Sequence, residues 1–231
     1  MEENEVNEEN EDGEVLGPKL KVAVFGASGR TGDLLVERCL AARYAVSALV
    51  RTPKKFRFWG LATVVEGSVF DAAAIRRTLE GADVVLSALG ARSLWKEDVL
   101  ERAVPLIVEG MRAEGVRRII ALGSAGALDD SLKKQPEWRR WFVQKIVYNT
   151  LLKYAVASQV DQWKVLSTSG LDFTMVMPPM LTNGEARGTF RVDGEALPPG
   201  GRQIARADVA DFMMAQVESK DWVGKGVYVA Y

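Results

Sequence analysis

The chain has 231 residues, 30 basic and 31 acidic side chains for a formal net charge of −1, one cysteine and no histidine. That length suits one large domain, and a composition that is 48% hydrophobic is enough for a sizeable core. The lack of histidine excludes Ser-His-Asp and Cys-His catalysis and imidazole zinc sites, so a proton must come from Tyr, Lys, a relayed Ser, a carboxyl group or water.

The net charge hides an asymmetry. Residues 1–18 hold Glu2, Glu3, Glu5, Glu8, Glu9, Glu11, Asp12 and Glu14 and no Lys or Arg, which leaves 30 basic against 23 acidic residues in the remainder. A segment so poor in apolar side chains cannot repay its ordering entropy, so a disordered acidic tail is expected ahead of a single domain over residues 19–231. The positive body raises nucleic acid as a partner. No helix-turn-helix or zinc pattern accompanies it, and an anionic cofactor explains the charge more simply. Cys39 cannot form an internal disulfide, and no signal peptide or transmembrane run is visible. The expected location is therefore a reducing cytoplasm, with no integral membrane segment.

The first predicted strand is Val22-Ala23-Val24-Phe25. It runs directly into Gly26-Ala27-Ser28-Gly29-Arg30-Thr31-Gly32, and a helix follows. An apolar strand, spaced glycines and a helix N-terminus form the phosphate-binding turn of a βαβ unit. Gly26 permits the tight turn, Gly29 lets backbone approach a pyrophosphate, and Gly32 lets the helix pack closely. Glycines also mark ordinary turns, so the strand-then-helix context carries this expectation.

Ala45–Val50 reads as the second strand. A site for the ribose 2′-hydroxyl of NAD usually has Asp or Glu about 20 residues past the glycines. Here the strand ends in Arg51-Thr52-Pro53-Lys54-Lys55-Phe56-Arg57, with no carboxylate between Glu37 and Glu66. Four cations suit a 2′-phosphate, with Arg51 as a planar clamp and Lys55 as a point charge. The competing reading is a solvated basic loop. Of the two nicotinamide cofactors, NADP(H) is the one expected.

Further along, Ala62–Glu66 is a third strand, and Asp71 is the expected N-cap of a helix reaching Leu79. Asp83–Gly90 is a fourth strand, and residues 97–114 form a helix with Gly115 at its end. Arg118–Gly123 is a fifth strand, ending at Ser124-Ala125-Gly126. Strands alternating with helices at this spacing predict an α/β fold, a Rossmann-like doubly wound parallel sheet with helices on both faces. Ligands of such sheets sit at the carboxyl ends of the strands, where the glycine turn, Leu89-Gly90-Ala91-Arg92 and Ser124 gather.

Residues 129–170 interleave Trp138, Trp141, Phe142, Tyr148, Tyr154 and Trp163 with Lys133, Lys134, Arg139, Arg140, Lys145 and Lys153. A long or broken helix is expected between Pro136 and Gly170. It has three competing roles: a core-packing helix, a substrate lid, or a dimer or membrane-surface face. Asp172–Met177 is the sixth strand, closed by Pro178-Pro179. Residues 182–203 read as loops with a hairpin at Gly188–Val192. Ala207 opens a last helix to Glu218, and Gly226–Ala230 is a final strand.

These segments together resemble an atypical short-chain dehydrogenase/reductase of the NmrA-like, NAD(P)-binding type, closest in pattern to the biliverdin-IXβ/flavin reductases. The carrying motifs are the glycine turn, Leu49-Val50-Arg51, Gly67-Ser68-Val69, Leu89-Gly90-Ala91-Arg92, Ser169–Thr174, Met177-Pro178-Pro179 and Ile204–Ala210, across residues 19–231. The resemblance implies NADPH on the glycine turn, Arg51 and Lys55 at the 2′-phosphate, and Ser68 and Val69 by the adenine. Gly90, Arg92 and Ser124 would lie toward pyrophosphate and nicotinamide, and Pro178 near the carboxamide. Segments 129–168 and 180–206 would cover the substrate.

Two departures qualify this. The Tyr-x-x-x-Lys pair of ordinary short-chain dehydrogenases is missing, and Gln159 and Met180 stand where biliverdin-IXβ reductases carry histidines. The function implied is an NADPH-dependent reductase of a planar, conjugated acceptor such as a flavin, quinone or linear tetrapyrrole, working as monomer or homodimer. Ser124 would orient the acceptor, and Lys164 would stabilise developing negative charge if it faces the pocket. A surface lysine is the equal alternative for Lys164. An NADP-sensing regulator without turnover is the alternative for the whole protein.

Overall fold

A computed structural model describes residues 19–90 and 98–231. The central sheet has eight strands. In chain order they are β1 (Lys21–Phe25), β2 (Ala45–Val50), β3 (Thr63–Glu66), β4 (Val84–Ser87), β5 (Arg118–Leu122), β6 (Asp172–Met177), β8 (Arg191–Asp193) and β10 (Lys225–Ala230). Their spatial order is β3-β2-β1-β4-β5-β6-β10-β8, parallel except that β8 runs antiparallel to β10. The order reverses between β1 and β4, which is where an open α/β sheet opens a crevice for ligands.

The inner strands are mostly continuous apolar runs because both faces of the sheet are covered there. Along β1, Ala23 and Phe25 enter one core with Ile75, Leu79, Ile107 and Met111. Val22 and Val24 enter the other with Leu35, Val36, Val209 and Met213. Helices α2 (Ala72–Leu79) and α3 (Val99–Ala113) thus cover one face, and α1 (Arg30–Ala41) and α6 (Arg206–Glu218) the other. The Asp71 side chain accepts from the Ala73 and Ala74 amides and caps α2 as expected.

The aromatic and basic segment is a broken helix: α4 (Glu137–Phe142), a π-helical stretch (Val143–Leu151) and α5 (Lys153–Ser167). Its roles divide by residue. Val143, Tyr148 and Trp163 pack against the core, whereas Trp138, Trp141, Phe142 and Tyr154 are exposed. Core packing therefore accounts for only part of the segment.

Two expectations for residues 180–206 are corrected. There is no hairpin at Gly188–Val192, since Arg191–Asp193 pairs with β10 at the sheet edge. At the two ends of the stretch read as loop, residues 182–203, β7 (Met180–Thr182) and β9 (Gln203–Ala205) form a two-stranded parallel sheet. Asp208, buried in the first turn of α6, holds this region together. It accepts from the Arg187 amide at 3.0 Å, the Gly188 amide at 2.8 Å and the Tyr231 hydroxyl.

Burial alone would raise the pKa of Asp208, but the Tyr231, Arg187 and Gly188 bonds outweigh it and hold the carboxyl below its usual range. A depressed carboxyl pKa contributes stability that is complete above the unfolded value of about 3.9 and is lost as pH falls through the folded value. Asp208→Asn is expected to lower stability at pH 7 by about 1.5–3 kcal/mol. In thermal melts, the gap between parent and variant should hold from pH 7 to about 5 and close on further acidification. A gap unchanged down to about pH 2 would show that the carboxylate charge is not what stabilises the region.

Candidate functional site

A cleft of about 700 Å³ opens over the carboxyl ends of β1 to β4. Gly26, Ser28, Gly29, Arg30 and Thr31 form one wall, Arg51 and the turn Gly67–Phe70 another, and Ala88, Leu89 and Gly90 the floor. Val99, Leu181 and Arg206 close it. The glycine turn is built by sterics. Gly26 has φ +80°, a left-handed conformation, and a Cβ there would stand 2.8 Å from the Ala88 carbonyl. A Cβ on Gly32 would stand 2.0 Å from the Gly26 carbonyl oxygen, so Gly32 lies behind the wall and lets α1 begin against the turn. The Gly29 amide donates to that same oxygen at 2.9 Å.

Gly29 is the N-cap of α1 and supplies no side-chain cap, so the first-turn amides face the cleft without a local acceptor. This end of α1 is a ready anion site. Three guanidinium residues reinforce it: Arg30, Arg51 and Arg206 all line the cleft, and no Asp or Glu does among the described residues. The Arg206 guanidinium donates to Leu181 O at 3.3 Å and Asn183 Oδ1 at 2.6 Å, both neutral. Burial, and then the nearby Arg30 charge, lower its pKa below the usual arginine range. Two cations that oppose each other across a cleft are stabilised by an anion between them.

The basic tip after β2 is less uniform than its sequence. Arg57 turns back onto α1 and bridges Asp33 at 2.9 Å and Glu37 at 2.6 Å. The four-cation tip thus has two carboxylates folded onto it, and Arg57 is committed elsewhere. Lys55 is exposed at the end of a short turn, Pro53–Lys55, outside the cleft lining. Arg92 lies outside the described residues. Among the expected cofactor contacts, the cleft brings together Gly26, Ser28, Gly29, Arg30, Thr31, Arg51, Ser68, Val69, Leu89 and Gly90.

Ser124 and Pro178 sit farther along the strand ends, beside each other but not in the cleft lining. The Ala125 amide donates to Pro178 O at 2.9 Å, and Ser124 Oγ caps the short turn Ala125–Ala127 through the Gly126 amide at 3.4 Å. Behind them, α5 presents buried polar side chains. Gln162 Nε2 donates to Leu122 O at 3.0 Å and to Gln159 Oε1 at 3.2 Å, tying the helix to the last carbonyl of β5. Tyr148 packs over Gly126, and burial pushes its phenol up to about 12, so it is neutral at physiological pH.

Two side chains of α5 lie away from the strand ends. The Lys164 side chain is 68% exposed and pairs with Asp161 at 3.5 Å, on the side of α5 away from Gln159 and Gln162. This placement matches the surface lysine of the two readings. Trp163 stacks edge-on against Phe173, near the amino end of β6, with ring centroids 5.6 Å apart, and belongs to the core.

Sequence reasoning assigned no role to Phe70, Leu181 and Arg206. Phe70 had a signal, an aromatic in a polar turn, and the Arg102 guanidinium now lies 4.3 Å from its ring centroid. Arg206 had a weaker one, a cation at a strand-to-helix junction. Leu181 had none, because β7 was not visible in the pattern.

Similarity to known proteins agrees with this geometry. A provisionally named exported protein of Burkholderia pseudomallei is 27% identical, with a TM-score of 0.75 over 92% of this chain and 100% of that one. The anaerobilin reductase ChuY of Escherichia coli is 22% identical, with a TM-score of 0.74 over 91% of this chain and 96% of that one. A short-chain dehydrogenase/reductase of Veillonella parvula, solved in complex with NADP, is 18% identical, with a TM-score of 0.75 over 92% and 94% of the two chains. The sequence profile of the NAD(P)H-binding family matches residues 26–220, and the chain, with its glycine turn and basic cleft on a Rossmann-like sheet, belongs to that family.

Proposed function

We propose that the protein is an NADPH-dependent reductase that delivers hydride to a planar, conjugated acceptor, in the class of flavins, quinones and linear tetrapyrroles. The observation that carries this reading is the cleft with three guanidiniums and, among the described residues, no carboxylate in its lining. An NAD site needs an acceptor for a ribose hydroxyl, whereas Arg51 at the tip of β2 offers a planar cation to a 2′-phosphate. The α1 amides, Arg30 and Arg206 would hold the pyrophosphate. Leu89 and Gly90 lead from there toward Ser124.

When bound, the cofactor supplies the hydride, and the chain contributes position and electrostatics. Tyr148 is neutral and has no lysine four residues on, Lys164 points outward, and histidine is absent. No described side chain is therefore arranged as a strong proton donor, which suits acceptors whose reduced form takes its proton from water. Ser124 gives the strand ends a neutral hydrogen-bonding group suited to orienting a flat polar acceptor, and Gln159 and Gln162, buried behind it, hold α5 in place without adding charge. The anaerobilin reductase with the same fold supports this acceptor class by analogy.

Arg51→Ala is expected to weaken NADPH binding by about 1.5–3 kcal/mol and barely change NADH binding, as titration calorimetry would record. Arg57→Ala serves as control and should leave NADPH affinity within about twofold, because its charge is already paired. Equal affinity of the parent for NADH and NADPH would rule out the assignment of Arg51.

Turnover is the second test. NADPH oxidation against a panel of flavins, quinones and tetrapyrroles should reveal an acceptor. Ser124→Ala should then lower kcat by about tenfold or more with NADPH affinity kept, and Lys164→Met should change neither. Tight NADPH binding with no turnover above background would move the protein to the sensing alternative. A sensor must bind NADP⁺ and NADPH with different affinities.

A further inference from the structure

The segment that covers the strand ends carries an unexplained outer face. Trp138 is 68% exposed, Trp141 60% and Phe142 48%, with Ile146 beside them. They are three and four residues apart, so the helix gathers them on one side, while Gln135, Arg139 and Val143 turn inward. Single exposed apolar residues are ordinary, but a cluster containing two tryptophans is not. These rings do not serve the cleft, whose lining lies elsewhere.

The charge around them is one-sided. From Trp138 to Val160 there are Arg139, Arg140, Lys145 and Lys153 and no Asp or Glu. Arg139 is spent inward on Gln135 Oε1 and Gly201 O, whereas Arg140, Lys145 and Lys153 are exposed. Lys153 lies 6.0 Å from the ring of the exposed Tyr154, extending the same chemistry onto α5.

We infer that this face is a peripheral docking surface for an anionic lipid bilayer. Tryptophan favours the interfacial zone of a bilayer, where an apolar ring meets polar headgroups, and flanking Lys and Arg meet the negative surface. A second copy of the chain fits less well. A two-fold contact is self-complementary, so it would set Arg140, Lys145 and Lys153 against their own copies, with Glu137 and Asp161 only at the two ends of the segment to offset them. The protein would lie on the surface rather than cross it, because among the described residues no helix is long and apolar enough to span a membrane. This inference does not depend on the acceptor, or on whether the chain turns one over.

The test is flotation of the full-length protein with vesicles of phosphatidylcholine alone or with about a third phosphatidylglycerol. The expected result is binding to the anionic vesicles, a blue shift of tryptophan emission, and weakening in about 0.5 M salt. Trp138→Ser combined with Trp141→Ser should cut the partition coefficient by about tenfold or more while NADPH binding is kept. Lys145→Glu, which leaves the rings in place, should weaken anionic binding by a smaller factor and shows whether charge contributes when the double variant folds poorly. Failure to bind anionic vesicles overturns the inference. So does binding of the double variant equal to that of the parent. A concentration-dependent dimer that the double variant dissolves would also overturn it, by giving the face to a second copy.

Discussion

The cleft depends on one contact made without a side chain. The first turn of α1 passes so close to the carbonyl of Gly26 that a methyl group on Gly32 would overlap its oxygen. On the other side of the turn, Gly26 itself meets the backbone of Ala88 at the end of β4. Three elements of the sheet's switch point therefore meet backbone to backbone. Widening this junction by a single Cβ would tilt α1 away from the strand ends, and its uncapped amides would no longer converge with Arg51 and Arg206 on one space. The glycines set the direction of a helix dipole as much as they make room for a ligand.

Charge then divides this space from its surroundings. The chain carries nearly balanced charge, yet the cleft collects Arg30, Arg51 and Arg206, and the carboxylates of α1 are turned outward onto Arg57. Arg57 keeps Asp33 and Glu37 occupied at the rim, one turn from the amides that face the cleft. The exposed pair adds little to stability. Its effect is to settle which cations remain for a ligand.

The sheet apart from its edge strand β8 was legible because each of those strands is a short run with apolar residues bounded by glycine or a capping residue; β8, Arg-Val-Asp and largely exposed, carries no such signal. That pattern depends on neighbours in sequence. What escaped depends on neighbours in space. β7 and β9 are three residues each and pair across twenty residues of Gly- and Pro-rich chain, so neither has periodicity enough to be seen. The partners of Arg57 lie on the preceding helix, and the direction of Lys164 turns on the rotation of α5. Arg206 belongs to the cleft only because β7 brings Leu181 and Asn183 against it. The aromatic segment was ambiguous for the same reason: its composition fits core, lid and surface, and the rotation of each helical piece decides which rings face in, leaving Trp138, Trp141 and Tyr154 outside and Tyr148 and Trp163 against the core.

The division of the strand ends into a charged half and a neutral half bears on what each half can do. Guanidiniums and helix amides placed on phosphates bind the oxidised and the reduced cofactor alike, since the phosphates do not change. Such contacts provide affinity without rate. Any preference for one redox state, or any acceleration of hydride transfer, must arise where the chemistry differs between states, which in the proposed arrangement is the neutral region of Ser124, Gln159 and Gln162. That region is held by structure rather than by charge: Gln162 ties α5 to the end of β5, and Pro178 fixes the turn that Ser124 caps. Alignment is what such a scaffold can offer, and alignment is the larger part of what a hydride transfer between two bound rings requires.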